Sequence, residues 1–210
     1  MKKFFITGTD TNVGKTITSA VLSYALKSIY WKPIQSGLCE SLSDRDIVQQ
    51  LNGLADCHFY PTNYALQASL SPNQAAELEK ISIHLDECIL PNTSKHILVE
   101  GAGGLYVPLN EEAYMLDLIK KLNLPVIIVA RGTLGTINHT LLTINALRQQ
   151  GLTPHGVIFC GHLHVENRND IERLGNVPTL LHIPHFEELN SSTLQNWVGE
   201  NELKIKEVFL

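Results

Sequence analysis

The sequence has little of what would place it in a membrane, on nucleic acid or in an oxidising compartment. Its longest uninterrupted apolar run, Val126–Ala130, has five residues, far short of the roughly 20 that a membrane span needs. Met1-Lys-Lys-Phe-Phe-Ile6 runs straight into a strand pattern with no h-region or cleavage site, so export is not expected. Positive charge is in deficit. Sixteen Lys and Arg stand against 21 Asp and Glu, a net charge of −5, which excludes the concentrated basic surface of non-specific nucleic-acid binding. The four cysteines (Cys39, Cys57, Cys88, Cys160) share no CxxC spacing, and free thiols of a cytoplasmic protein are the expected state. No repeat, low-complexity tract or linker divides the chain, so residues 1–210 read as a single domain.

What the sequence does have is alternation of short apolar runs with helical patterns. Strands are expected at Lys3–Thr7, Ile29–Ile34, His96–Glu100, Pro125–Ala130, Val157–Cys160 and Leu180–Ile183. Helices are expected from Gly14 to about Ser28, from Asp46, over Gln74–Leu90, Tyr114–Leu122, Ile137–Gln150 and Glu166–Leu174, and in two C-terminal pieces around Leu194–Val198 and Glu202–Val208. This alternation predicts an α/β fold, a mostly parallel central sheet with helices on both faces. Ligands in such sheets sit at the carboxyl ends of the strands.

The motifs fall at those ends. Gly8-Thr-Asp-Thr-Asn-Val-Gly-Lys15-Thr16 lies between the first strand and first helix, the context of a phosphate loop, with five rather than four residues between Gly8 and Gly14. Loop and helix N–H groups would meet phosphate oxygens. Lys15 adds a positive charge and Thr16 a hydroxyl for Mg²⁺. Lys32, extended because Pro33 follows it, can point into the same cleft, and Ser36-Gly37 form a turn beyond it. Taken alone, a lysine before a proline such as Lys32 is more often simply solvated. Val99-Glu100-Gly-Ala-Gly-Gly104 ends a strand with a carboxylate suited to a second metal ligand. Asp44 and Asp46 offer another, or else simply favour a helix N-terminus. Leu134-Gly-Thr-Ile-Asn-His139 opens a helix, where capping is the plain reading of Asn138 and His139. His162 and His164, with no third ligand, read as surface residues.

In this order, Thr7–Thr16, Lys32–Gly37, Val99–Gly104 and Leu134–His139, with a weaker match at Ile183-Pro184, resemble the dethiobiotin synthetases. These are P-loop ligases that carboxylate a diamine with CO₂ and close it to a cyclic urea at the expense of ATP. The resemblance implies 7,8-diaminopelargonic acid, CO₂ or bicarbonate and ATP as substrates, Mg²⁺ as cofactor, and a homodimer. It implies Lys15 and Lys32 as catalytic charges, and Thr16, Asp46 and Glu100 as metal ligands. Nucleotide would be held by Asn12, Val13, Gly14, Lys15, Thr16, Ile17, Asp46, Glu100, Gly101, Ala102, Gly103, Cys160, Gly161, Pro184, His185 and Phe186. Thr11 and Ser36 would hold the diamine–carbamate end. Gly135 and Asn138 would hold the carboxylate tail across a dimer interface.

Three features depart from the family pattern. The segment Ala25–Trp31 is several residues short, so a truncated second strand is expected. The metal-ligand aspartate lies in Ser43-Asp-Arg-Asp46, where Asp46 is preferred because Ile47 and Val48 follow it. Cys160-Gly161 stand where the family often has an Asn-Asp pair for the base. Two other classes compete. A related P-loop ligase of the cobyrinate amide synthase kind would need a glutaminase domain for which 210 residues leave no room. A nucleotide switch would show an Asn-Lys-x-Asp base motif or, for a partition-type ATPase, an early second lysine among residues 9–13. Neither is present.

Overall fold

The computed structural model describes residues 1–210. In chain order the elements are β1 (Lys3–Gly8), α1 (Lys15–Leu26), β2 (Ile29–Trp31), β3 (Ile34–Gln35), α2 (Asp44–Asn52), β4 (Tyr64–Ala65), α3 (Pro72–Glu79), β5 (Ile97–Glu100), α4 (Met115–Leu122), β6 (Val126–Gly132), α5 (Thr136–Gln149), β7 (Pro154–Leu163), α6 (Val165–Gly175), β8 (Thr179–Ile183) and α7 (Ser191–Phe209). Six strands form one parallel sheet in the order β2-β5-β1-β6-β7-β8, and β3 pairs with β4 in a separate two-stranded ribbon. The expected α/β architecture is what forms.

Alternation along each strand decides which helix covers which face. Phe4 and Ile6 of β1 point to α1, α2 and α7, with Leu98, Ile127, Val129 and Ile158 beside them. Phe5 points the other way, with Val99, Ile128, Val157 and Phe159, under α4, α5 and α6. Because β1 lies between β5 and β6, the loops after β1 and β5 meet at the point where the strand order reverses. That is where such sheets open a crevice.

Three elements differ from expectation. The helix read over Gln74–Leu90 is only Pro72–Glu79. Lys80 turns left-handed at φ 55°, and Leu85–Glu87 is a separate 3₁₀ turn. The Ala75-Leu78-Ile81-Leu85 spacing is helical, but only Ala75 and Leu85 meet the core, while Leu78 is 67% exposed and Ile81 39%. The two C-terminal pieces are one helix, α7, seated through Leu194, Val198, Ile205 and Phe209. The strand read to Ile34 stops at Trp31. β2 is indeed short, and Ile34 belongs to the side ribbon.

Candidate active site

The loop between β1 and α1 is shaped by two left-handed residues, Asn12 (φ 53°) and Gly14 (φ 103°). A Cβ at Gly14 would lie 2.6 Å from Cys160 Cβ, so the site needs glycine for space as well as for φ. The loop stays open-mouthed. Lys15 folds back and donates from Nζ to the Asp10 carbonyl at 3.0 Å, and Arg131 at the end of β6 pairs with Asp10 Oδ2 at 3.0 Å. Burial, and next the neighbouring Lys32, lower the Lys15 pKa from 10.5 to about 8.

Glu100, fully buried, ends β5. Its Oε1 accepts from Lys32 Nζ at 3.0 Å and faces Thr16 Oγ1 at 3.5 Å, while Oε2 accepts from Ser19 Oγ at 2.6 Å and Tyr30 OH at 3.1 Å. Lys32 also pairs with Asp44 Oδ2 at 2.5 Å and donates to the Gly101 carbonyl at 3.3 Å. Thr16 Oγ1 donates to Asp44 Oδ1 at 2.9 Å. Burial acts against the Lys32 charge, but Glu100 and Asp44 outweigh it and raise its pKa. Burial likewise opposes the Asp44 charge, yet Lys32 holds that carboxyl below its ordinary value. Two lysines and two carboxylates thus neutralise one another in a place where an unpaired ion would cost several kcal/mol.

These groups line a cavity of about 490 Å³ together with Thr11, Asn12, Gly14, Ile17, Gln35, Ser36, Ala102 and Gly103. A second cavity of about 300 Å³ adjoins it, sharing Asn12, Gly14 and Ile17. It is walled by Val13, Arg131, Cys160, Gly161, Ile183, Pro184, His185, Phe186 and Leu189. One cavity is polar and doubly charged, the other largely apolar. Together they offer a berth for phosphates and a berth for a flat ring. Thr16, Asp44 and Glu100 present oxygen donors on one wall, a set that fits Mg²⁺, whose remaining positions go to phosphate and water. No group of three or more His, Cys, Asp or Glu side chains forms a metal cage by itself.

The family described as an AAA domain matches residues 2–193. The ATP-dependent dethiobiotin synthetase of Rhodopseudomonas palustris strain HaA2 is 41% identical over 200 residues, 95% of this chain and 93% of that one. The enzyme of the same description from Novosphingobium aromaticivorans is 45% identical over 200 residues, 95% and 96% of the two chains. The chain belongs to the dethiobiotin synthetase family. It also matches the biotin biosynthesis bifunctional protein of Bordetella avium at 46% identity over 193 residues, spanning 42% of that protein's length. Among solved structures, the septum site-determining protein MinD of Pyrococcus horikoshii, complexed with Mg-ADP, superposes with a TM-score of 0.61 at 19% identity over 98% of this chain and 94% of that one. A plasmid partition protein of Borrelia burgdorferi bound to AMPPNP gives 0.58 at 14%, over 98% of both chains. That likeness is one of fold.

Within the dethiobiotin synthetase frame, most of the expected residues converge. Thr11, Asn12, Gly14, Lys15, Thr16, Ile17, Lys32, Ser36, Glu100, Ala102 and Gly103 line the charged cavity, and Val13, Cys160, Gly161, Pro184, His185 and Phe186 the apolar one. Gly101 contributes its carbonyl to Lys32. Asp46 is a correction. Ser43 caps α2, Asp46 N donates to Ser43 Oγ at 3.1 Å, and Ser43 Oγ donates to Asp46 Oδ2 at 2.6 Å, so Asp46 is spent on the cap and faces away, while Asp44 faces the cleft. Gly135 and Asn138 join neither cavity. They are exposed at the start of α5, and Gly135 at φ 91° takes the cap position with no side-chain cap, so Asn138 is not the cap. His162 and His164 are exposed, as expected, and His162 stacks on the exposed His185 at a centroid distance of 5.6 Å. Sequence reasoning missed Ser19, Tyr30 and Gln35. The signal was parity: Tyr30 shares a strand face with Lys32, and Ser19 lies one helical turn beyond Thr16.

Proposed function

We propose that this ATP-dependent ligase converts 7,8-diaminopelargonic acid, CO₂ and ATP to dethiobiotin, ADP and phosphate, with Mg²⁺. The observation that carries the reading is the convergence of Lys15, Thr16, Lys32, Asp44 and Glu100 with Thr11 and Ser36 around one cavity. One amine takes up CO₂ and loses a proton to give a carbamate. A carbamate oxygen then attacks the γ-phosphorus and ADP leaves. The second amine attacks the carbamoyl carbon, phosphate departs with the C–O bond, and the amine's proton is lost as the ring closes.

Such phosphoryl transfer needs positioning and charge neutralisation more than a nucleophilic side chain. Loop N–H groups and Lys15 would hold the β- and γ-phosphates. Lys32 would leave Asp44 for the carbamate and transferring phosphoryl oxygens. Thr16, Asp44 and Glu100 would hold the magnesium ion, which supplies charge neutralisation at the phosphates when bound. Thr11 and Ser36 would receive the diamine–carbamate end. Gly135 and Asn138, which line neither cavity of their own chain, would receive the carboxylate tail of substrate bound by a second copy in a homodimer. The test is turnover with diamine, bicarbonate, Mg²⁺ and ATP. ATP hydrolysis indifferent to the diamine and bicarbonate would refute the reading in favour of a nucleotide switch.

A further inference from the structure

Glu100 is held from behind. Its side chain emerges between the sheet and α1, on the face of β5 that also carries Leu98. Tyr30 pairs with Leu98 in the β2–β5 register and sends its hydroxyl along the same face, while Ser19 reaches across from α1. Both hydroxyls donate to Oε2, at 2.6 and 3.1 Å, and both residues are fully buried. A carboxylate oxygen offers about two lone-pair sites, so Oε2 is filled on its core side. Oε1 alone is turned to the cleft, where it meets Lys32 and Thr16.

We propose that Ser19 and Tyr30 are positioning residues that fix the Glu100 carboxylate as a one-oxygen ligand of the nucleotide's divalent cation. The inference rests on the metal role assigned to Glu100 above. With either hydroxyl removed, Oε2 loses one of its two donors and the carboxylate is held less firmly about its terminal torsion, which has no strong rotamer well of its own. Partners that orient metal ligands in this way typically change metal affinity tenfold or more when removed.

The experiment is a titration of the intact protein with MnCl₂ in the presence of ADP, free Mn²⁺ being read by electron paramagnetic resonance, with Tm recorded for each variant. Tyr30→Phe keeps the buried ring, and Ser19→Ala places a strong helix former in α1, so at least one is expected to fold. Each should raise the Mn²⁺ dissociation constant about tenfold or more. Ser23→Ala is the control. Ser23 donates to the Ser19 carbonyl at 2.6 Å and receives Asn52 Nδ2 at 2.9 Å, buried on the same helix but away from Glu100. It should lower Tm and leave Mn²⁺ affinity unchanged. Wild-type affinity in Tyr30→Phe and Ser19→Ala, beside weakened affinity in Glu100→Gln, overturns the positioning role alone. Unchanged affinity in Glu100→Gln removes the metal assignment itself. Equal weakening in Ser23→Ala would show loosened packing instead, and also overturns the proposal.

Discussion

Lys15 carries its charge where water barely reaches it, and its ordinary proton affinity does not survive there. At about pH 8 half of the folded molecules hold it neutral. The sign follows from the lowered value. Between about pH 8 and 10.5 the folded state binds fewer protons than the unfolded one, so this group's contribution to stability rises with pH across that window. A bound phosphate restores the charge. Nucleotide binding at pH 8 to 9 should therefore take up a proton, seen as a dependence of calorimetric heat on the buffer's ionisation enthalpy, and the uptake should fade below pH 7. Lys15→Ala should remove both the uptake and product formation while leaving the circular dichroism spectrum unchanged. Loss of a charge aimed at the transferring phosphate costs about 3 to 4 kcal/mol of transition-state stabilisation, and near wild-type turnover would exclude this role. Lys15 was legible in the sequence because its motif is local. Asp44 was not, because two aspartates two apart on a helix point about 200° from each other and only the helix start decides between them. Ser43 and Asp46 spelled out that start as a cap and its third residue, a reciprocal pattern that outweighs the apolar Ile47 and Val48.

At the scale of the element, strands were legible wherever both faces are buried, since a fully covered strand is a continuous apolar run, as in β5 and β6. The helix over 74–90 misled because its spacing is helical while the middle of the stripe, Leu78 and Ile81, is exposed. Propensity without a surface to bury does not sustain a helix. α7 shows the converse. Its polar middle split it in two on paper, yet two anchors seat one continuous helix. Phe209 packs edge-on against Phe4 at 5.7 Å and is 1% exposed, while Leu194 holds the other end. Phe209→Ala should cost about 3 to 5 kcal/mol, measured as a lowered denaturant midpoint at unchanged slope. A loss under 1 kcal/mol would mean that the end of α7 is not part of the cooperative core. The cysteines report on the same packing. Burial pushes the Cys160 thiol up to about 11 and Cys88 likewise to about 11, whereas Cys39 and Cys57 are exposed. The thiolate is the reactive species, so a chromogenic disulfide at pH 8 should find two fast thiols in the native protein and four after unfolding.

For the molecule as a whole, a nucleotide with its phosphates in the charged cavity and its base in the apolar one would be held unequally. The phosphate end would meet fixed charges. The ring end would meet Val13, Ile17, Cys160, Ile183 and Phe186, beside Asn12, an Arg131 paired with Asp10 and a His185 stacked on His162, with no amide on β7. Asn167, a candidate to supply one, does not line this cavity and donates its Nδ2 to the Gly132 carbonyl at 3.2 Å. Cys160 lies against Thr18 Oγ1 at 3.3 Å and the Gly14 carbonyl, facing the loop. Discrimination without hydrogen bonds to a polar edge shrinks to about one or two kcal/mol, roughly tenfold. CTP, GTP and UTP should therefore support turnover within about tenfold of ATP in kcat/KM. A preference for ATP beyond about a thousandfold would show that a polar reader of the base exists elsewhere in the chain.

The ion pairs that Lys32 makes with Asp44 and Glu100, beside Lys15, have a thermodynamic corollary. Before any ligand arrives, two positive and two negative groups cancel. A lone divalent cation must compete with Lys32 for both carboxylates, and a lone triphosphate must lie against Asp44 and Glu100. Arriving together, the cation takes the carboxylates and the freed lysine takes the phosphate, so each ligand removes the obstacle to the other. Their binding free energies are then coupled, and the coupling is reciprocal. The factor by which nucleotide tightens the metal must equal the factor by which metal tightens the nucleotide. On the metal role proposed for Asp44 and Glu100, the resting cleft would act as a coincidence detector, responding weakly to either component and strongly to the pair.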